Sequence, residues 1–525
     1  MARSRTKNSL MNFITGIIGQ LLITLLKFVT RTVFINALGK AYLGINGLFS
    51  DILTMLSLTE LGLDTAINFK LYKPLAEHDE KRVRVLIAFY KTAYRVVGVV
   101  ILILGICLIP FLPVLIKDYG SLDALGINAV LIFLLYILQS VSSYLFFAYR
   151  SAIVKADQKE YMLNVAGYVV SLATNITQII ILVVWRNFIM YTACVVVFNI
   201  LQNLINAVIA KHCYPYAFKK EKDKLEIWEI KDIFKDLGAL FTYKVNGVVL
   251  KATDNMVLSA FVGLSIVGMY SNYWMFYSTI KMLLNKVFSA VKASAGNLFT
   301  TGTIGQKYSY FEAMNYMSSV LYGTACIGMA VEANELITCW IGADYVIPQP
   351  FSILMGIEIM FLGLKLNLEQ IRNISGAFRQ MWFRPVIGSI VNLTVSIALV
   401  KRIGIYGVLI GTIVADCTTN FMMDPSIIYN YSFNSYRPVS EYYIKTAKYI
   451  GTLVVVGILD ALICRNVLTG MGWFSAIVHI IICGISVPLV FFMVFRNWHE
   501  CKYLMDKCRG FLKPLKKGRV RKSNG

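Results

Sequence analysis

The sequence predicts an all-α integral membrane protein of about 14 transmembrane helices, with two six-helix lobes in pseudo-two-fold repeat and two further C-terminal helices. Of its 525 residues, 57% are hydrophobic and 15% are charged. Soluble domains average roughly 45–50% hydrophobic residues and roughly 25% charged residues. A soluble fold of this length needs far more polar surface, so most of the chain must face lipid or other helices. The composition therefore excludes a soluble enzyme.

Apolar runs of about 20 residues, the length that crosses a bilayer as a helix, occur fourteen times. The first run follows the basic stretch MARSRTKNSL directly and is too long for a signal-peptide core. It is therefore predicted to be the first span. The predicted spans are 10–35, 43–71, 86–116, 124–149, 161–185, 189–211, 238–262, 265–291, 311–332, 350–371, 385–401, 405–429, 446–464 and 473–495.

Positive charge is distributed in the pattern of a multi-pass membrane protein. The 51 Lys and Arg residues outnumber the 29 Asp and Glu residues, and they concentrate in the two termini and in alternate loops. These loops are Tyr72–Arg84, Arg150–Glu160, Lys211–Lys235 and Arg372–Arg384. By the positive-inside rule, these segments and both termini lie in the cytoplasm. No soluble domain remains to bind nucleic acid, so nucleic acid is not an expected partner. The basic run Lys513–Lys522 predicts contact with anionic lipid.

A duplicated stretch supports the two-lobe arrangement. KFVTRTVFINALGKAYLGINGLF (Lys27–Phe49) aligns without gaps with KATDNMVLSAFVGLSIVGMYSNY (Lys251–Tyr273). In both copies an apolar helix with a cation precedes a glycine-marked turn and a second apolar segment. Tandem duplication of apolar helices with charges at mid-depth is typical of two-lobed transporters.

The two lobes are joined by KKEKDKLEIWEIKDIFKDL (Lys219–Leu237), in which apolar residues recur at helical spacing among charged ones. This pattern predicts an amphipathic helix at the cytoplasmic interface. The predicted divisions are an N-lobe at 1–212, the connection at 213–237, a C-lobe at 238–430, helices thirteen and fourteen at 431–495, and a basic tail at 496–525.

Cations inside spans are costly and usually face a bundle interior or a water-filled cavity. Lys27 and Arg31 are four residues apart on one face of the first helix, and Lys244 and Lys251 share a face of the seventh. Together with the eighth helix they predict a cationic cavity for a phosphate or pyrophosphate group. Alternatively, Arg31 snorkels outward, and Lys244 and Lys286 are interfacial. The candidate pyrophosphate-binding residues are Lys27, Arg31, Lys244, Lys251, Lys281 and Lys286.

Acidic residues inside the spans have two interpretations, and the sequence leaves both open. They neutralise the lysines as ion pairs, or they bind a coupling ion, H⁺ or Na⁺. No cofactor and no metal site is expected, because the 10 Cys and 4 His residues form neither a C-x-x-C pair nor a His cluster. The candidates for ion coupling or pairing are Asp51, Glu60, Asp64, Asp254, Glu358, Glu369 and Asp416.

Four stretches carry a family resemblance: AYLGINGLFSDILTMLSLTELGL (Ala41–Leu63), LYKPLAEHDEKRVRVLIAFYKTAYR (Leu71–Arg95), RNISGAFRQMWFRP (Arg372–Pro385) and GIYGVLIGTIVADCTTNFMMDPSIIY (Gly404–Tyr429). They resemble Wzx-type polysaccharide flippases, in the polysaccharide branch of the multidrug/oligosaccharidyl-lipid/polysaccharide exporter superfamily. The resemblance covers nearly the whole chain. It implies a central cavity with alternating access, and a polyprenyl-pyrophosphate-linked oligosaccharide that moves from the inner to the outer leaflet of the bacterial cytoplasmic membrane.

The resemblance also implies partners. Helices thirteen and fourteen would offer a groove for the polyprenyl tail, as in the related lipid II flippases of fourteen spans. Membrane lipids are expected contacts, and glycan polymerases and glycosyltransferases of the same pathway are candidate partners. Capsule, cell-wall polymer and lipid II stay open as the product served.

Three other functions are weighed against transport of a lipid-linked glycan. A cation-coupled multidrug exporter of the same fold should have an acidic or apolar cavity, whereas the first and seventh helices carry cations. A lipid-linked glycan ligase or polymerase should have a long outer loop, and no catalytic motif such as G-x-S-x-G or H-E-x-x-H is present. A scaffold that recruits glycan enzymes would use the basic tail. The sequence therefore predicts a transporter rather than an enzyme.

Overall fold

The computed structural model describes residues 2–57, 63–117, 119–122, 126–219, 223, 225–231, 252–375, 383–467 and 470–507. The regular secondary structure of these residues is helical, with no strand among them, which confirms the all-α prediction. The chain divides into two compact units, Met1–Ser271 and Asn272–Gly525. The predicted lobes, connection and tail stay predictions.

The helices of the first unit are mostly long and apolar, as expected for membrane-embedded segments. They are α1 Ala2–Leu38, α2 Lys40–Leu56, α3 Leu63–Ala76, α4 Glu80–Leu108, α5 Leu112–Leu115, α6 Ala129–Leu145, α7 Ser151–Ala156, α8 Glu160–Val184, α9 Phe188–Cys213 and α10 252–261.

The second unit takes most of α11, which crosses the boundary between the units. Its helices are α11 Leu264–Thr301, α12 Ile304–Ile341, α13 Pro350–Ser375, α14 Arg384–Ile403, α15 Ile405–Asp416, α16 Met423–Phe433, α17 Val439–Asn466, α18 Trp473–Phe495 and α19 499–507.

Within the described part of the chain, nine helical segments are long and apolar enough to cross a membrane, and the bent pair α6 and α7 would be a tenth. The protein is therefore a multi-pass membrane protein. The count of fourteen spans and the cytoplasmic position of the termini stay predictions. The nine segments are Gly19–Leu38, Glu80–Leu115, Glu160–Val184, Phe188–Cys213, Pro350–Ser375, Arg384–Ile403, Ile405–Phe433, Val439–Asn466 and Trp473–Phe495.

Two predicted spans are not single α-helices. The span predicted at 43–71 is two helices, since α2 ends at Leu56 and α3 begins at Leu63. Asp51 and Asp64 consequently lie on different helices. Residues 58–62, between the two helices, lie outside the described residues. The span predicted at 405–429 is interrupted by a π-helical segment at Cys417–Phe421.

The duplicated stretches adopt the same local structure. Gly39 separates α1 from α2 with a φ of 85°, and its counterpart Gly263 separates α10 from α11 with a φ of 126°. Residues with a side chain rarely adopt such φ values, so glycine is the residue that allows both turns. The glycine-marked turn predicted from the repeat is confirmed at both positions.

The first unit also brings the two copies into reciprocal backbone contact. A Cβ on Gly44 would lie 2.0 Å from the carbonyl oxygen of Leu264, and a Cβ on Gly268 would lie 2.5 Å from that of Lys40. Gly44 and Gly268, like Lys40 and Leu264, occupy equivalent positions in the two copies. Gly44 therefore leaves room for the first turn of α11, and Gly268 leaves room for the first turn of α2.

Part of the predicted amphipathic connection forms a short helix at 227–231 that is bound to the start of α4. Arg82 forms an ion pair with Glu229, and Lys81 Nζ lies 2.6 Å from Asp223. The hydrogen bond from Arg82 holds the pKa of Glu229 below its ordinary value. The Glu229 carboxylate thus stays charged as the pH falls through the usual glutamate range, and the ion pair is lost only below it. Trp228 is exposed, as an interfacial aromatic residue should be.

The glycine contact predicts that Gly44→Ala and Gly268→Ala each destabilise the fold by about 1–3 kcal/mol, because a methyl group must push a backbone carbonyl away. Thermal unfolding of the purified protein in detergent would measure the loss. Gly484→Ala on α18 is the control, since a Cβ there meets nothing within 4 Å. Equal melting temperatures for all three variants would contradict the prediction.

Candidate functional site

The predicted cations of the first unit have different surroundings. Lys27 is exposed on α1, whereas Arg31, one turn later, is half-buried and donates a hydrogen bond to Ser271 Oγ. The shared helix face predicted for the two residues therefore does not give them the same environment. Lys244 and Lys251 lie outside the described residues.

The acidic candidates of the first unit are buried where the structure describes their side chains. Asp51 of α2 accepts a hydrogen bond from Asn255 of α10 and is 7% exposed, and Asp254 is 6% exposed. Arg31 donates to a residue of the second repeat copy, and Asn255 of the second copy donates to Asp51, which follows the first copy on α2. Glu60 and the side chain of Asp64 lie outside the described residues.

The second unit contains a chain of buried polar contacts between α13, α14 and the α15–α16 segment. Lys365 Nζ lies 3.5 Å from Asp416 Oδ2, and Asn420 donates to Asp416 Oδ1 over 2.5 Å. Arg384 donates to the Asn420 amide oxygen, and its Nε lies 3.1 Å from Asp424 Oδ1. The Asn420 amide therefore lies between two cation–carboxylate pairs and makes a hydrogen bond to one member of each.

Local sequence explains how these groups come to be buried. Arg384 and Asp424 each precede a proline and occupy the first turn of α14 and α16, where proline is tolerated. An arginine at a helix N-terminus is opposed by the helix dipole, so Arg384 depends on the Asp424 carboxylate. Asn420 lies in the π-helical segment, and such segments redirect side chains and are frequent at functional sites.

Other candidates lie on the same elements of the second unit. Glu358 is buried on α13 two turns before Lys365, and Glu369 Oε1 lies 3.9 Å from Arg372. On α11, Lys281 is half-buried and Lys286 is exposed. Together, α13 to α16 mix cations with carboxylates, and Asp416 is placed as one of the two predicted interpretations has it, beside a lysine. The cationic cavity predicted from the first, seventh and eighth helices stays a prediction.

Sequence reasoning missed Arg384, Asn420 and Arg372 as site residues. The two arginines were assigned to a Lys/Arg-rich cytoplasmic loop, but they are 4% and 5% exposed. A signal was available for Arg384, because proline is favoured in the first turn of a helix, and Pro385 therefore indicates a helix start beside Arg384. Asn420 gave no signal, since nothing in the sequence marks the π-helical segment.

An elongated cavity of about 790 Å³ lies between α12, α13 and α17. Most of its lining is apolar, including Ile327 of α12, Met360 of α13 and Leu453 of α17. Two further lining residues on α17, Val454 and Ile458, are 54% and 57% exposed. The cavity is therefore an apolar groove at the protein surface. Polar lining residues collect at one end of it: Glu332, Glu335, Gln349, Arg465 and His479.

A family model described as "Polysaccharide biosynthesis protein" matches residues 9–292, more than half of the chain. The chain belongs to this family. The resemblance to polysaccharide exporters seen in the sequence is thereby confirmed. No curated protein sequence gives a significant match.

Solved structures share the fold of this family member. Lipid II flippase MurJ in an inward closed conformation has a TM-score of 0.61 and 14% identity, covering 92% of this chain and 99% of its own. An inward-facing multidrug resistance MATE family transporter of the MOP superfamily has a TM-score of 0.61 and 11% identity, covering 78% and 94%. A MATE protein in a bent conformation has a TM-score of 0.53 and 11% identity, covering 82% and 96%.

The buried pair of the family member predicts a specific pattern of stabilities. Arg384→Met or Asp424→Leu alone leaves one charge buried and unpaired, which costs about 3–5 kcal/mol of unfolding free energy. The double variant removes both charges and should recover most of that loss. Thermal unfolding in detergent measures all three variants.

The same variants separate a structural pair from a functional one. Transport that returns with stability in the double variant assigns the pair to folding, and a stable but inactive double variant assigns it to function. Losses that simply add in the double variant would contradict the coupling.

Proposed function

We propose that the protein is a flippase that moves a polyprenyl-pyrophosphate-linked oligosaccharide from the inner to the outer leaflet by alternating access. It would serve the synthesis of capsule or another cell-surface polysaccharide in the bacterial cytoplasmic membrane. Membership of the polysaccharide biosynthesis family supports the cargo class, and the fold it shares with a lipid II flippase supports the mode of transport. Fourteen spans with both termini in the cytoplasm are part of the proposal.

The observation that carries the proposal is the apolar groove beside α17. A cargo with a polyprenyl tail needs a surface on which the tail stays in hydrocarbon while its head group enters the protein. The groove offers such a surface, since its lining is apolar along most of its length and α17 residues beside it are exposed. The groove is bordered by α12, α13 and α17, whereas α18 contributes His479 alone. This differs from a groove formed by helices thirteen and fourteen together.

The head group is proposed to bind cationic side chains. Lys27 is exposed, so it can meet a pyrophosphate without first breaking a buried contact. Arg31 would have to release Ser271, which makes it a candidate for contact at a later stage of transport. Four further lysines stay candidate contacts because their side chains are cationic: Lys244, Lys251, Lys281 and Lys286.

A multidrug exporter of the same fold is the second candidate, since a MATE transporter shares the fold. One observation favours it: α13, α15 and α16 carry acidic residues, which a cationic drug would require. They are Glu358, Glu369, Asp416 and Asp424. Two of these carboxylates, Asp416 and Asp424, are already paired with Lys365 and Arg384. An exporter would have to break these pairs, so the flippase is the better-supported function.

The decisive experiment is a leaflet-resolved assay of polyprenyl-linked oligosaccharide in cells depleted of the protein. We expect the oligosaccharide to accumulate in the inner leaflet. Gly457→Phe fills the groove and should fail to relieve the accumulation, because Gly457 lines the cavity and faces Ile327. Gly451→Phe is the matched control on α17, since a Cβ there meets nothing within 4 Å. Both variants are first checked for monodisperse, folded protein.

The same assay tests the head-group contact. Lys27→Ala should lower the export rate about tenfold or more, as expected for the loss of a charged hydrogen bond, and Lys27→Arg should restore most of it. Normal export in depleted cells, together with altered sensitivity to cationic drugs, would support the exporter instead. Accumulation in the outer leaflet would indicate a ligase or polymerase.

A further inference from the structure

Three side chains of different chemistry meet at the polar end of the groove. They are Glu332 of α12, Cys464 of α17 and His479 of α18, and they are 2%, 4% and 1% exposed. Their carboxylate, thiol and imidazole ligand atoms all lie within 4.8 Å of one another. We name this group the Glu-Cys-His cluster. It joins three helices at the turn that connects α17 to α18.

The hydrogen bonding of His479 directs one ring nitrogen into the cluster. His479 Nε2 lies 2.7 Å from the carbonyl oxygen of Val467, which can only accept, so Nε2 carries a hydrogen. In the neutral imidazole, Nδ1 then presents a lone pair. This atom lies 3.1 Å from Glu332 Oε1 and 3.4 Å from Glu335 Oε2. Lone pairs of three acceptors therefore converge, and a cation is needed between them.

The geometry of these contacts favours a metal ion over a proton. Although Nδ1 and Glu332 Oε1 are close, neither His479 Nδ1 nor Glu332 Oε2 makes a hydrogen bond to any atom of the described residues. Buried polar atoms are normally satisfied, and leaving one without a partner costs about 1–3 kcal/mol. A proton shared between Nδ1 and Oε1 would require an aligned hydrogen bond. A metal ion would satisfy both atoms without that alignment.

We propose that the Glu-Cys-His cluster binds a divalent transition-metal ion, with zinc the best fit. Glu332, Cys464 and His479 would supply oxygen, sulfur and nitrogen ligands, and Glu335 the fourth. Zinc accepts this mixture of donors in tetrahedral sites, and the thiolate disfavours Mg²⁺ and Ca²⁺. Donors around zinc lie about 3.3–3.8 Å apart, so the ligand atoms of Glu332, Cys464 and His479, which lie within 4.8 Å of one another, need to move inward by only about 1 Å.

Surrounding contacts already resemble those of metal centres. A histidine ligand usually donates its second ring N–H to a backbone carbonyl or a carboxylate, which is the role of Val467 here. The Ser475 hydroxyl donates to Glu335 Oε1 and orients that carboxylate. The bound ion would fix the ends of α17 and α18 to α12, and so hold one end of the groove.

Cobalt substitution tests the site in the purified full-length protein, with any affinity tag removed. Co²⁺ bound to a thiolate gives a near-ultraviolet charge-transfer band, and we expect one such ion per chain, displaced by Zn²⁺. Cys464→Ser should abolish the band, and His479→Gln should weaken binding about tenfold or more. Cys326→Ser is the matched control, because Cys326 lines the same groove on α12 outside the cluster.

The wild-type protein alone can overturn the proposal, so the test does not depend on a variant that folds. If the wild type gives no thiolate band, or if Cys464→Ser binds Co²⁺ as the wild type does, the cluster holds no metal. His479 and Glu332 would then be an imidazolium–carboxylate pair. A chelator that lowers the melting temperature of the wild type and the Cys326→Ser variant, but not of Cys464→Ser, would support the site independently of transport.

Discussion

The structure depends on one constraint, that a charge in apolar surroundings must be paired. In the second unit this constraint fixes helices against one another, because two ion pairs join residues from different helices. Arg384 and Asp424 connect α14 to α16, and Lys365 and Asp416 connect α13 to the end of α15. Apolar contacts alone are non-directional, whereas a shift of one residue along a helix would turn a charge by about 100° and unpair it. The apolar surfaces of these helices would allow several registers. The few buried charges therefore determine which register forms.

In the first unit, close backbone contact rather than charge pairing fixes the helices against one another. Gly44 and Gly268 let the two repeat copies approach until a carbonyl group occupies the space where a side chain would begin. At this distance, polar side chains reach partners on the opposite pair of helices: Arg31 of α1 reaches Ser271 of α11, and Asn255 of α10 reaches Asp51 of α2. The two segments that are duplicated in the sequence are therefore also in contact with each other in the structure. This contact makes two copies of one helix–turn–helix complementary to each other.

Long apolar helices, glycine turns and the family could be read from the sequence, because each depends on neighbours along the chain. The partners of the charges could not, because pairing depends on how helices are rotated against each other. Lys27 and Arg31 share a helix face in sequence, yet only Arg31 is half-buried. Arg384 was placed in a loop because a cluster of arginines usually marks one. The cluster of Glu332 and His479 was missed since its members are far apart in the chain.

Two polar attachments join α17 to α12, on either side of the groove's apolar lining. At one end Lys445 is paired with Glu312, and its Nζ lies 3.3 Å from Glu500 of α19. At the other end Cys464 meets Glu332. The attachments are about 30 Å apart along either helix, from the rise of 1.5 Å per residue, which is about the thickness of the hydrocarbon core. These two sets of polar contacts hold α17 beside α12, and the largely apolar stretch between them is long enough for a lipid tail to lie along it. Because burying charge in hydrocarbon is costly, charged attachments are favoured at the ends of such a stretch, and its middle is left to apolar side chains.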